Sequence, residues 1–496
     1  MLHLKTSKSM GPDEIPNSFL KRYAEWTAMY LHLIFKKSIL TSTVPSDWKL
    51  SKIIPILKSG DAKSVCNYRP IALTSTSCRI LEHIISKHIR QFLSSNNVLS
   101  QYQHGFRKGL STVTQLVETI HHFCEVSDRK GQTDIIFLDF KKAFDKVNHR
   151  KLLIKLISIL GDNKIVRWIE AFLNNRRQFV SIEGVSSDEC DVNSGVPQGS
   201  VLGPLLFLVF VNDLIEDSPV KARLFADDCV IYTEVKSVND QIMLNEYLSQ
   251  INEWCVKWQM SINLDKTVCM TITHKRQPLE YVYMLHGKAL SRVSEFRYLG
   301  LTITSNLSWT PHVSNIIGKA NKRLGYIRRS LKLASSETKL TAYKMLIRPL
   351  LEYACEVWDP HVKYLVSNLE QVQRRALRFV FSSYRRLDSV SPLYKRANLP
   401  LLQVRRKQKR LNLFYNIMNN LVLVNKQQYI NESMSRITRN KHARHVEERK
   451  FSKDCLRYSF FLQTAREWNK LPAHVVTAET REEFSSLVSE ISNSST

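Results

Sequence analysis

A pair of adjacent acids interrupts an apolar run in the stretch Leu224-Phe225-Ala226-Asp227-Asp228-Cys229-Val230-Ile231-Tyr232. The apolar and β-branched residues on both sides predict a β-hairpin whose turn carries Asp227 and Asp228. Two carboxylates held side by side repel each other, and a hard divalent cation, which prefers oxygen ligands, would offset that repulsion. Because Asp is also common in solvated turns, the stretch alone leaves both a metal site and an ordinary turn open.

A third candidate acid, Asp139, ends a short apolar run that predicts a β-strand over residues 134–140. An acid at the end of a buried strand, just before a helix, is well placed to bind a metal, although it could instead cap that helix. Asp145 suits a local structural role better than a metal-binding one. The helix that follows is predicted to reach Leu160 and to stop at Gly161.

Three glycines and two prolines crowd the segment 194–204, which opens into an apolar helix predicted over residues 205–214. Small residues let a base pair or a ligand backbone approach closely, and the start of a helix offers free N–H groups to phosphate. An ordinary glycine-rich loop is the alternative. Gln198, set between Pro197 and Gly199, is nevertheless hard to explain as filler.

Two basic residues, Lys58 and Arg69, lie close to a predicted strand near the start of the chain. The apolar run 53–57 predicts that strand, a turn follows at Gly60 and Asp61, and the segment 67–73 comes next. Both side chains could reach a triphosphate, whereas a solvated lysine and a structural arginine are the alternative. The basic, glycine-bearing segment 101–109 leaves a similar choice between a phosphate-binding loop and a surface loop.

The net charge of the chain favours a polyanionic partner. Its 496 residues leave room for about three modules, and Lys+Arg exceed Asp+Glu by 72 to 45, a formal net charge of +27. An excess of this size suggests nucleic acid or an acidic membrane face. The excess is uneven, because residues 311–496 hold 34 Lys+Arg against 15 Asp+Glu. We expect a nearly balanced globule followed by a basic attachment.

The basic C-terminal part has a helical pattern. One apolar stripe consists of Val313, Ile316, Ile317, Ala320, Leu324, Ile327 and Leu331, and the cations of that segment lie largely off it. The stripe predicts a helix with one side on a core and its cations free for a polyanion. Charge runs are more often only solvated surface, which is the alternative.

Cysteine use and hydropathy indicate the compartment. The nine cysteines are scattered singly, without a C-x-x-C pair, so we expect free thiols and an intracellular location in the cytoplasm or nucleus. The N-terminus lacks the apolar core of a signal peptide, and the longest apolar run, 201–211, contains Gly203 and Pro204 and is too short to span a bilayer. Nucleic acid is therefore favoured over a membrane as the partner.

Four of these pieces stand in order along the chain: Phe137-Leu138-Asp139-Phe140-Lys141-Lys142-Ala143-Phe144-Asp145, Gly195-Val196-Pro197-Gln198-Gly199-Ser200, Phe225-Ala226-Asp227-Asp228 and Asn263-Leu264-Asp265-Lys266-Thr267. This succession resembles the palm motifs of reverse transcriptases, specifically those of Jockey-like non-LTR (LINE-type) retrotransposons. Further segments resemble the finger motifs and the C-terminal region of that family: 8–13, 67–71, 105–107, 348–353, 357–360, 373–376 and 468–472. The resemblance covers nearly the whole chain.

The resemblance implies an α+β fold of the right-hand polymerase type. Fingers would occupy residues 1–125, and a palm with an antiparallel sheet, helices and the catalytic aspartates would occupy 126–310. A mostly helical, basic thumb and C-terminal region would occupy 311–496. The implied activity is RNA-directed DNA polymerisation, in which a DNA primer or target is extended on an RNA template with dNTPs as substrates.

The resemblance also implies a metal site made of Asp139, Asp227, Asp228 and the backbone carbonyl of Phe140. Two Mg²⁺ ions, with Mn²⁺ as a substitute, would lie roughly 3.5–4 Å apart. Asp139 and Asp227 would bridge both ions, and Asp228 would assist nearby. One ion would lower the pKa of the primer hydroxyl, and the other would hold the triphosphate and the leaving oxygen. Only a sheet that joins the two strand ends could unite acids so far apart in sequence.

Other roles that the resemblance implies concern the nucleotide. Phe144 would lie under the sugar and exclude a 2′-hydroxyl, and the alternative is a core phenylalanine. Gln198 and Gly199 would border the templating base pair. Lys266 would approach the triphosphate, and the alternative is a surface lysine.

The chain departs from the family pattern in two respects. Polymerase motifs begin within ten residues of Met1, and no Cys/His knuckle follows near the C-terminus. We therefore expect a truncated copy or fragment without a target-cleaving endonuclease. A catalytically inactive, domesticated palm that binds nucleic acid is the alternative function. An RNA-directed RNA polymerase shares the palm acids but is disfavoured by Phe144 and by the Phe-Ala-Asp-Asp form.

Overall fold

The computed structural model of the chain describes residues 1–6, 10–58, 60–385, 388–432 and 442–494, with side chains described as far as residue 491. Lys8 and Ser9 of the segment 8–13 therefore lie outside the described residues. The N-terminal part combines helices with one strand pair: α1 (Asn17–Arg22), α2 (Ala24–Thr41), α3 (Ser46–Lys49), β1 (Leu50–Leu57), β2 (Tyr68–Leu73), α4 (Thr76–Ser95) and α5 (Thr112–Asp128).

The middle part of the chain mixes strands and helices. It contains β3 (Gln132–Leu138), α6 (His149–Leu160), α7 (Lys164–Leu173), β4 (Arg176–Ile182), β5 (Val185–Ser186), β6 (Cys190–Val192), α8 (Leu202–Val211), β7 (Lys221–Phe225), β8 (Asp228–Glu234), α9 (Val238–Trp258), β9 (Val268–Thr273), β10 (Met284–Leu285), β11 (Lys288–Ala289), β12 (Ser291–Arg292), β13 (Glu295–Tyr298) and β14 (Leu301–Thr304). The fold class is α+β, as predicted.

The C-terminal part is mainly helical. It contains α10 (Thr310–Ser330), α11 (Ser336–Ala342), α12 (Arg348–Glu352), α13 (Cys355–Trp358), α14 (Lys363–Val380), α15 (Ser391–Ala397), α16 (Leu402–Met418), α17 (Lys426–Tyr429), α18 (Asp454–Arg457), α19 (Phe460–Trp468), α20 (Ala473–Val476) and α21 (Arg481–Ser494). A π-helical turn over Tyr343–Ile347 joins α11 to α12.

The central sheet has five strands in the order β12-β9-β3-β8-β7. Its middle strand β3 is buried along its whole length, and it pairs antiparallel with both β8 and β9. Side chains alternate between the two faces of a strand. Ile135 and Phe137 accordingly pack with α5 and the C-terminal helices, whereas Ile136 and Leu138 pack with α4 and α6 to α9. Both faces of the sheet are therefore covered by helices.

A second sheet lies in the N-terminal half, with β2, β1, β4 and β5 in that order and β6 also paired to β4. The antiparallel pair β1–β2 places Ile56 opposite Arg69 and Leu57 opposite Tyr68. The predicted strand over 53–57 is thus confirmed, and the segment after the turn forms its partner strand β2. Lys58 directly follows β1, and its backbone N–H donates to the carbonyl of Asn67 at 2.8 Å.

Helix α10 carries the predicted apolar stripe. Val313, Ala320, Leu324 and Ile327 are buried in the same core that contains Phe137 of the sheet, and the other stripe residues pack against it. The C-terminal helices thus share one core with the central sheet. Because that core is continuous, the domain limits at 125 and 310 stay a prediction.

The predicted single strand over residues 297–303 is wrong. It is a hairpin in which β13 pairs antiparallel with β14. Leu299 and Gly300 form its turn with φ of 45° and 88°, the left-handed geometry that two-residue hairpin turns require. Leucine is not a turn residue by preference, so the apolar alternation ran through the turn unbroken. The other predicted elements near the acids are confirmed, including the end of α6 at Leu160.

The longest apolar run forms most of α8, a helix almost entirely buried between other helices. It begins earlier than predicted, at Leu202, because Pro204 lies in its first turn, where a missing N–H costs nothing. Over the part of the chain that the structure describes, no helix has both the length and the apolar character needed to cross a bilayer. All nine cysteines are free.

Candidate active site

The three predicted acids come together at one end of the central sheet. In the β3–β8 register, Leu138 lies opposite Cys229. Asp139, which directly follows β3, therefore lies next to the start of β8 at Asp228. Asp227 lies in the turn between β7 and β8, because Phe225 pairs with Asp228. Strand pairing alone thus unites acids that stand far apart in sequence.

The β7–β8 turn has a backbone conformation that few side chains adopt. It consists of Ala226 and Asp227, and Ala226 has φ of 58°. Non-glycine residues with positive φ are uncommon and often mark functional sites. The turn is held by Gln103, whose side chain is fully buried. Its Oε1 accepts from the Ala226 N–H at 3.0 Å, and its Nε2 donates to the Ala226 carbonyl at 3.4 Å.

The segment 101–109 is not a free surface loop, because part of its backbone pairs with β7, and its contact with phosphate stays a prediction. The His104 N–H donates to the Leu224 carbonyl, and the Leu224 N–H donates to the Tyr102 carbonyl, both at 2.9 Å. Gly105 fits only because it has no side chain, since a Cβ there would lie 2.3 Å from the Ala226 nitrogen. Sequence reasoning missed Gln103 as a functional residue, because nothing in the sequence indicates that a polar loop residue is buried.

The carboxyls of Asp227 and Asp228 resist ionisation. Partial burial raises the pKa of Asp227, and the negative charge of Asp139 raises it further. Burial and the charges of Asp227 and Asp139 raise the pKa of Asp228 to about 6, although that residue retains exposed surface. These shifts show that the three carboxylates interact.

Lys58 and Arg69 belong to the same electrostatic neighbourhood. Both cations lower the pKa of Asp227 and of Asp228, against the effects of burial and of the other acids. Both side chains are exposed at the end of the β1–β2 pair. The structure thus brings them near the acids, and their contact with a triphosphate stays a prediction.

Asp139 is positioned by the segment that follows α9. The Asn263 amide donates to its Oδ2 at 3.0 Å, and the Asn263 N–H donates to its carbonyl at 2.7 Å. Lys266 Nζ lies 4.0 Å from the same Oδ2.

Asn148, rather than Asp139, caps α6 by accepting from the Lys151 N–H at 3.0 Å. The capping alternative for Asp139 is therefore excluded, and the approach of the exposed Lys266 to a triphosphate stays a prediction.

The carbonyl of Phe140 takes no part in the neighbouring strand contact. Phe140 forms an isolated antiparallel bridge with Ile262. The two hydrogen bonds of that bridge use the backbone of Asp139 and Lys141. The Phe140 carbonyl is thus not consumed by this pairing, which is compatible with the predicted metal ligand.

The glycine-rich segment packs directly against β2. The Ala72 N–H donates to the Gln198 carbonyl at 2.8 Å. Gly199 has φ of 141°, and a Cβ there would lie 2.1 Å from the Ala72 carbonyl oxygen, so only glycine fits. The Gln198 side chain donates from Nε2 to Asp145 Oδ1 at 2.8 Å. Asp145 therefore has the structural role that was predicted, and it holds the side chain of Gln198.

Phe144 lies between the buried core and the surface. Its ring stacks on Phe207 with centroids 4.2 Å apart and meets Phe106 edge-on at 6.1 Å. The backbone carbonyl of Phe144 accepts from the Val196 N–H at 2.9 Å. The residue is only half-buried, so it keeps some accessible surface beside these packing contacts, and its role toward the sugar stays a prediction.

The three acids are chemically suitable ligands for a divalent cation. All three offer the oxygen ligands that hard cations prefer, and a bound cation would offset the repulsion that raises the pKa of Asp227 and Asp228. Among the described residues, however, no three acidic, histidine or cysteine side chains converge closely enough to enclose an ion. The acids therefore share a location at the end of the sheet without a closed set of ligands.

Comparison with known proteins agrees with this geometry. Residues 56–303, half of the chain, match the family described as reverse transcriptase (RNA-dependent DNA polymerase). The chain is 31% identical over 392 residues to the probable RNA-directed DNA polymerase from transposon BS of Drosophila melanogaster, covering 76% of this chain and 43% of that protein. It is 29% identical over 388 residues to the RNA-directed DNA polymerase from mobile element jockey of Drosophila funebris, covering 76% of this chain and 42% of that protein.

The chain thus spans less than half the length of these relatives. Among solved structures, apo telomerase from Candida tropicalis overlays with a TM-score of 0.43 and 13% identity, covering 79% of this chain and 67% of that chain. An overlay this loose supports no conclusion about fold. The match over residues 56–303 includes all three acids at the end of the sheet, and the chain therefore belongs to the reverse transcriptase family, with relatives among the non-LTR retrotransposon polymerases.

Proposed function

We propose that this chain is an RNA-directed DNA polymerase that extends a DNA primer on an RNA template with dNTPs. The observation that carries the proposal is the pairing of β3 with β8, which sets Asp139 beside Asp227 and Asp228 in a chain of the reverse transcriptase family. The raised pKa values of Asp227 and Asp228 support a site built around an added positive charge.

Asp139, Asp227, Asp228 and the Phe140 carbonyl would hold divalent cations, Mg²⁺ or Mn²⁺. Such ions, when bound, supply Lewis-acid activation of the primer hydroxyl and charge stabilisation at the leaving oxygen. The protein's own part is to fix the acids. Asn263 restrains the Asp139 carboxylate, and Gln103 restrains the turn that carries Asp227.

The nucleotide would be bound by residues around the acids. Lys58, Arg69 and Lys266 are exposed cations, suited to the oxygens of a triphosphate. Phe144, which is half-buried, would lie under the sugar and exclude a 2′-hydroxyl. Gln198 and Gly199 would border the templating base pair through backbone contact, because the Gln198 amide is held by Asp145.

The basic C-terminal region would hold the template and primer. Its apolar residues are used in the core shared with the sheet, whereas Lys322, Arg323, Arg328 and Arg329 of α10 are exposed. Exposed cations neutralise backbone phosphates without reading sequence. Residues 1–125, 126–310 and 311–496 would then serve as fingers, palm and thumb.

Primer extension tests the proposal. The chain is incubated with an RNA template, a labelled DNA primer, dNTPs and Mg²⁺, and EDTA is added to a parallel reaction. We expect template-dependent extension that EDTA abolishes. Binding of the template–primer without extension would instead support the inactive alternative, and faster extension with rNTPs than with dNTPs would support an RNA polymerase.

A further inference from the structure

Helix α2 presents its larger apolar side chains to solvent. Its buried residues are Ala24, Thr27, Leu31 and Ser38, of which only Leu31 is a large apolar residue. The opposite side carries six large apolar side chains that are each 42–64% exposed: Trp26, Met29, Tyr30, Leu33, Ile34 and Leu40. We call these six side chains the α2 face. Because a helix that is apolar all round is normally buried, the α2 face calls for a covering partner.

The α2 face is continuous along the helix and contains residue types that anchor interfaces. At 100° per residue, its six side chains fall within about 140° of the helix surface. The rings of Trp26 and Tyr30 form an aromatic pair with centroids 4.8 Å apart. Tryptophan and tyrosine are enriched among the residues that contribute most to protein–protein binding. The composition of the α2 face is therefore typical of the centre of a protein interface.

The area of the α2 face matches one half of a dimer interface. A large side chain has roughly 200 Å² of surface, so half exposure of six such side chains leaves about 600–700 Å² open to solvent. Soluble monomers rarely expose a continuous apolar patch of more than a few hundred Å². A standard interface buries about 800 Å² on each partner and includes a polar rim. The α2 face together with such a rim has this size.

Charged residues border the α2 face along one edge. Glu25 lies in the first turn of α2, and Lys36 follows about three helical turns later, only about 20° away around the helix axis. Both side chains are exposed, and in the described part of the chain neither forms an ion pair. Two antiparallel copies of α2 related by a two-fold axis would place Glu25 of each copy level with Lys36 of the other. Parallel copies would place like charges at the same level.

We propose that the α2 face is the interface of a two-fold symmetric dimer of this chain, in which α2 packs antiparallel against α2 of the second copy. A two-fold interface uses the same patch on both copies, and the charges beside the α2 face complement themselves when the helix is reversed. The six apolar side chains form the centre of the interface, and Glu25 and Lys36 form its rim. The proposal does not depend on the proposed function, because dimerisation requires no template, primer or nucleotide.

Sedimentation equilibrium of the full chain without nucleic acid tests the proposal. We expect a dimer with a dissociation constant on the order of micromolar or below. The triple variant Trp26→Ser, Met29→Ser, Leu33→Ser should raise that constant about 100-fold or more, because anchoring residues each contribute roughly tenfold. A wild-type chain that stays monomeric well above micromolar concentration would overturn the proposal.

A matched triple variant provides the control. Tyr326→Ser, Met345→Ser and Leu421→Ser remove an aromatic residue, a methionine and a leucine that are 54–70% exposed outside the α2 face, and this variant should dimerise like wild type. Equal weakening by both triple variants would show that association is general hydrophobic adhesion. A monomeric wild-type chain that cosediments with phosphatidylcholine–phosphatidylserine vesicles would replace the dimer with a membrane surface as the partner.

Charge reversal tests the antiparallel register without altering the apolar side chains. Glu25→Lys and Lys36→Glu each place like charges opposite one another in the dimer, so each should raise the dissociation constant about tenfold. An equimolar mixture of the two single variants should restore dimerisation, because every rim contact then joins a lysine to a glutamate. If the mixture is no more dimeric than the separate variants, the proposed interface is wrong.

Thermal unfolding of each variant shows whether it remains folded. If the triple variant Trp26→Ser, Met29→Ser, Leu33→Ser does not fold, the mixture of the two charge variants still decides the proposal. Rescue on mixing requires contact between two copies, so it would not arise if the α2 face were covered by another segment of the same polypeptide or by lipid.

Discussion

The Gln103 side chain bonds to both backbone groups of Ala226, accepting from its N–H at 3.0 Å and donating to its carbonyl at 3.4 Å. Ala226 precedes Asp227 in a turn with positive φ. A buried glutamine from a distant loop thus fixes the conformation of the turn that carries Asp227, one of the proposed catalytic acids. Its loss should affect catalysis through geometry, since Gln103 itself would not contact the substrate.

Gln103→Leu should reduce kcat about tenfold, which corresponds to about 1.4 kcal/mol of activation free energy, while KM for dNTPs changes little. The unpaired backbone groups of Ala226 should also lower the free energy of unfolding by about 1–3 kcal/mol. Steady-state primer extension and denaturant unfolding measure the two effects. Gln101→Leu is the control, because Gln101 is an exposed neighbour of the same type. An equal fall in kcat for both variants would contradict a positioning role.

Phe144→Val should admit ribonucleotides, because a smaller side chain opens the space that a 2′-hydroxyl would occupy. We expect the ratio of kcat/KM for dNTP over rNTP to fall about tenfold or more, in line with the 1–3 kcal/mol that steric discrimination by a pocket supplies. The control is Phe207→Leu, which perturbs the same stacked pair from its buried side. An unchanged ratio in Phe144→Val would assign Phe144 to the core alone.

His104 should make the fold sensitive to acid. Burial and the charges of Arg223 and Arg107 lower the pKa of His104 to about 3. The nearby carboxylate of Glu118 is already paired with Arg223. The unfolded chain binds a proton near pH 6.5 and the folded chain does not, so stability is lost as the pH falls below about 6.5.

Between pH 6.5 and pH 5 this one group should cost about 1–2 kcal/mol of unfolding free energy. His104→Gln should remove that part of the pH dependence, as measured by urea unfolding at both pH values. His83→Gln is the control, since His83 also has a lowered pKa but lies on the outer part of α4. Equal pH dependence in wild type and His104→Gln would show that His104 does not couple protonation to folding.

Much of the site could be predicted from the sequence because its acids stand at the ends of apolar strands. The periodicity that predicted the β7–β8 hairpin also located Asp227 and Asp228 correctly. The register of Leu138 with Cys229, which brings Asp139 to them, is a long-range property that only the family resemblance anticipated. The local hydrophobic pattern and the order of the motifs were therefore sufficient to locate the three acids and to predict that they meet.

The parts that sequence could not supply depend on tertiary contacts. Gln103 lies in a polar segment that resembles a surface loop, yet it is buried because that segment adds to the edge of β7. The β13–β14 hairpin was missed because Leu299 occupies a turn position that apolar residues seldom take.

The most direct test of the account compares Asp227→Asn with wild type in primer extension on an RNA template with Mg²⁺ and dNTPs. The substitution removes one charge of the proposed metal site, and such charge stabilisation is worth several kcal/mol in the transition state, so we expect kcat/KM to fall by a factor of about 100 or more, which is about 3 kcal/mol or more. Asp188→Asn, which changes an exposed acid in the loop before β6, should retain wild-type activity. Equal extension by wild type and Asp227→Asn would contradict the assignment of the catalytic acids.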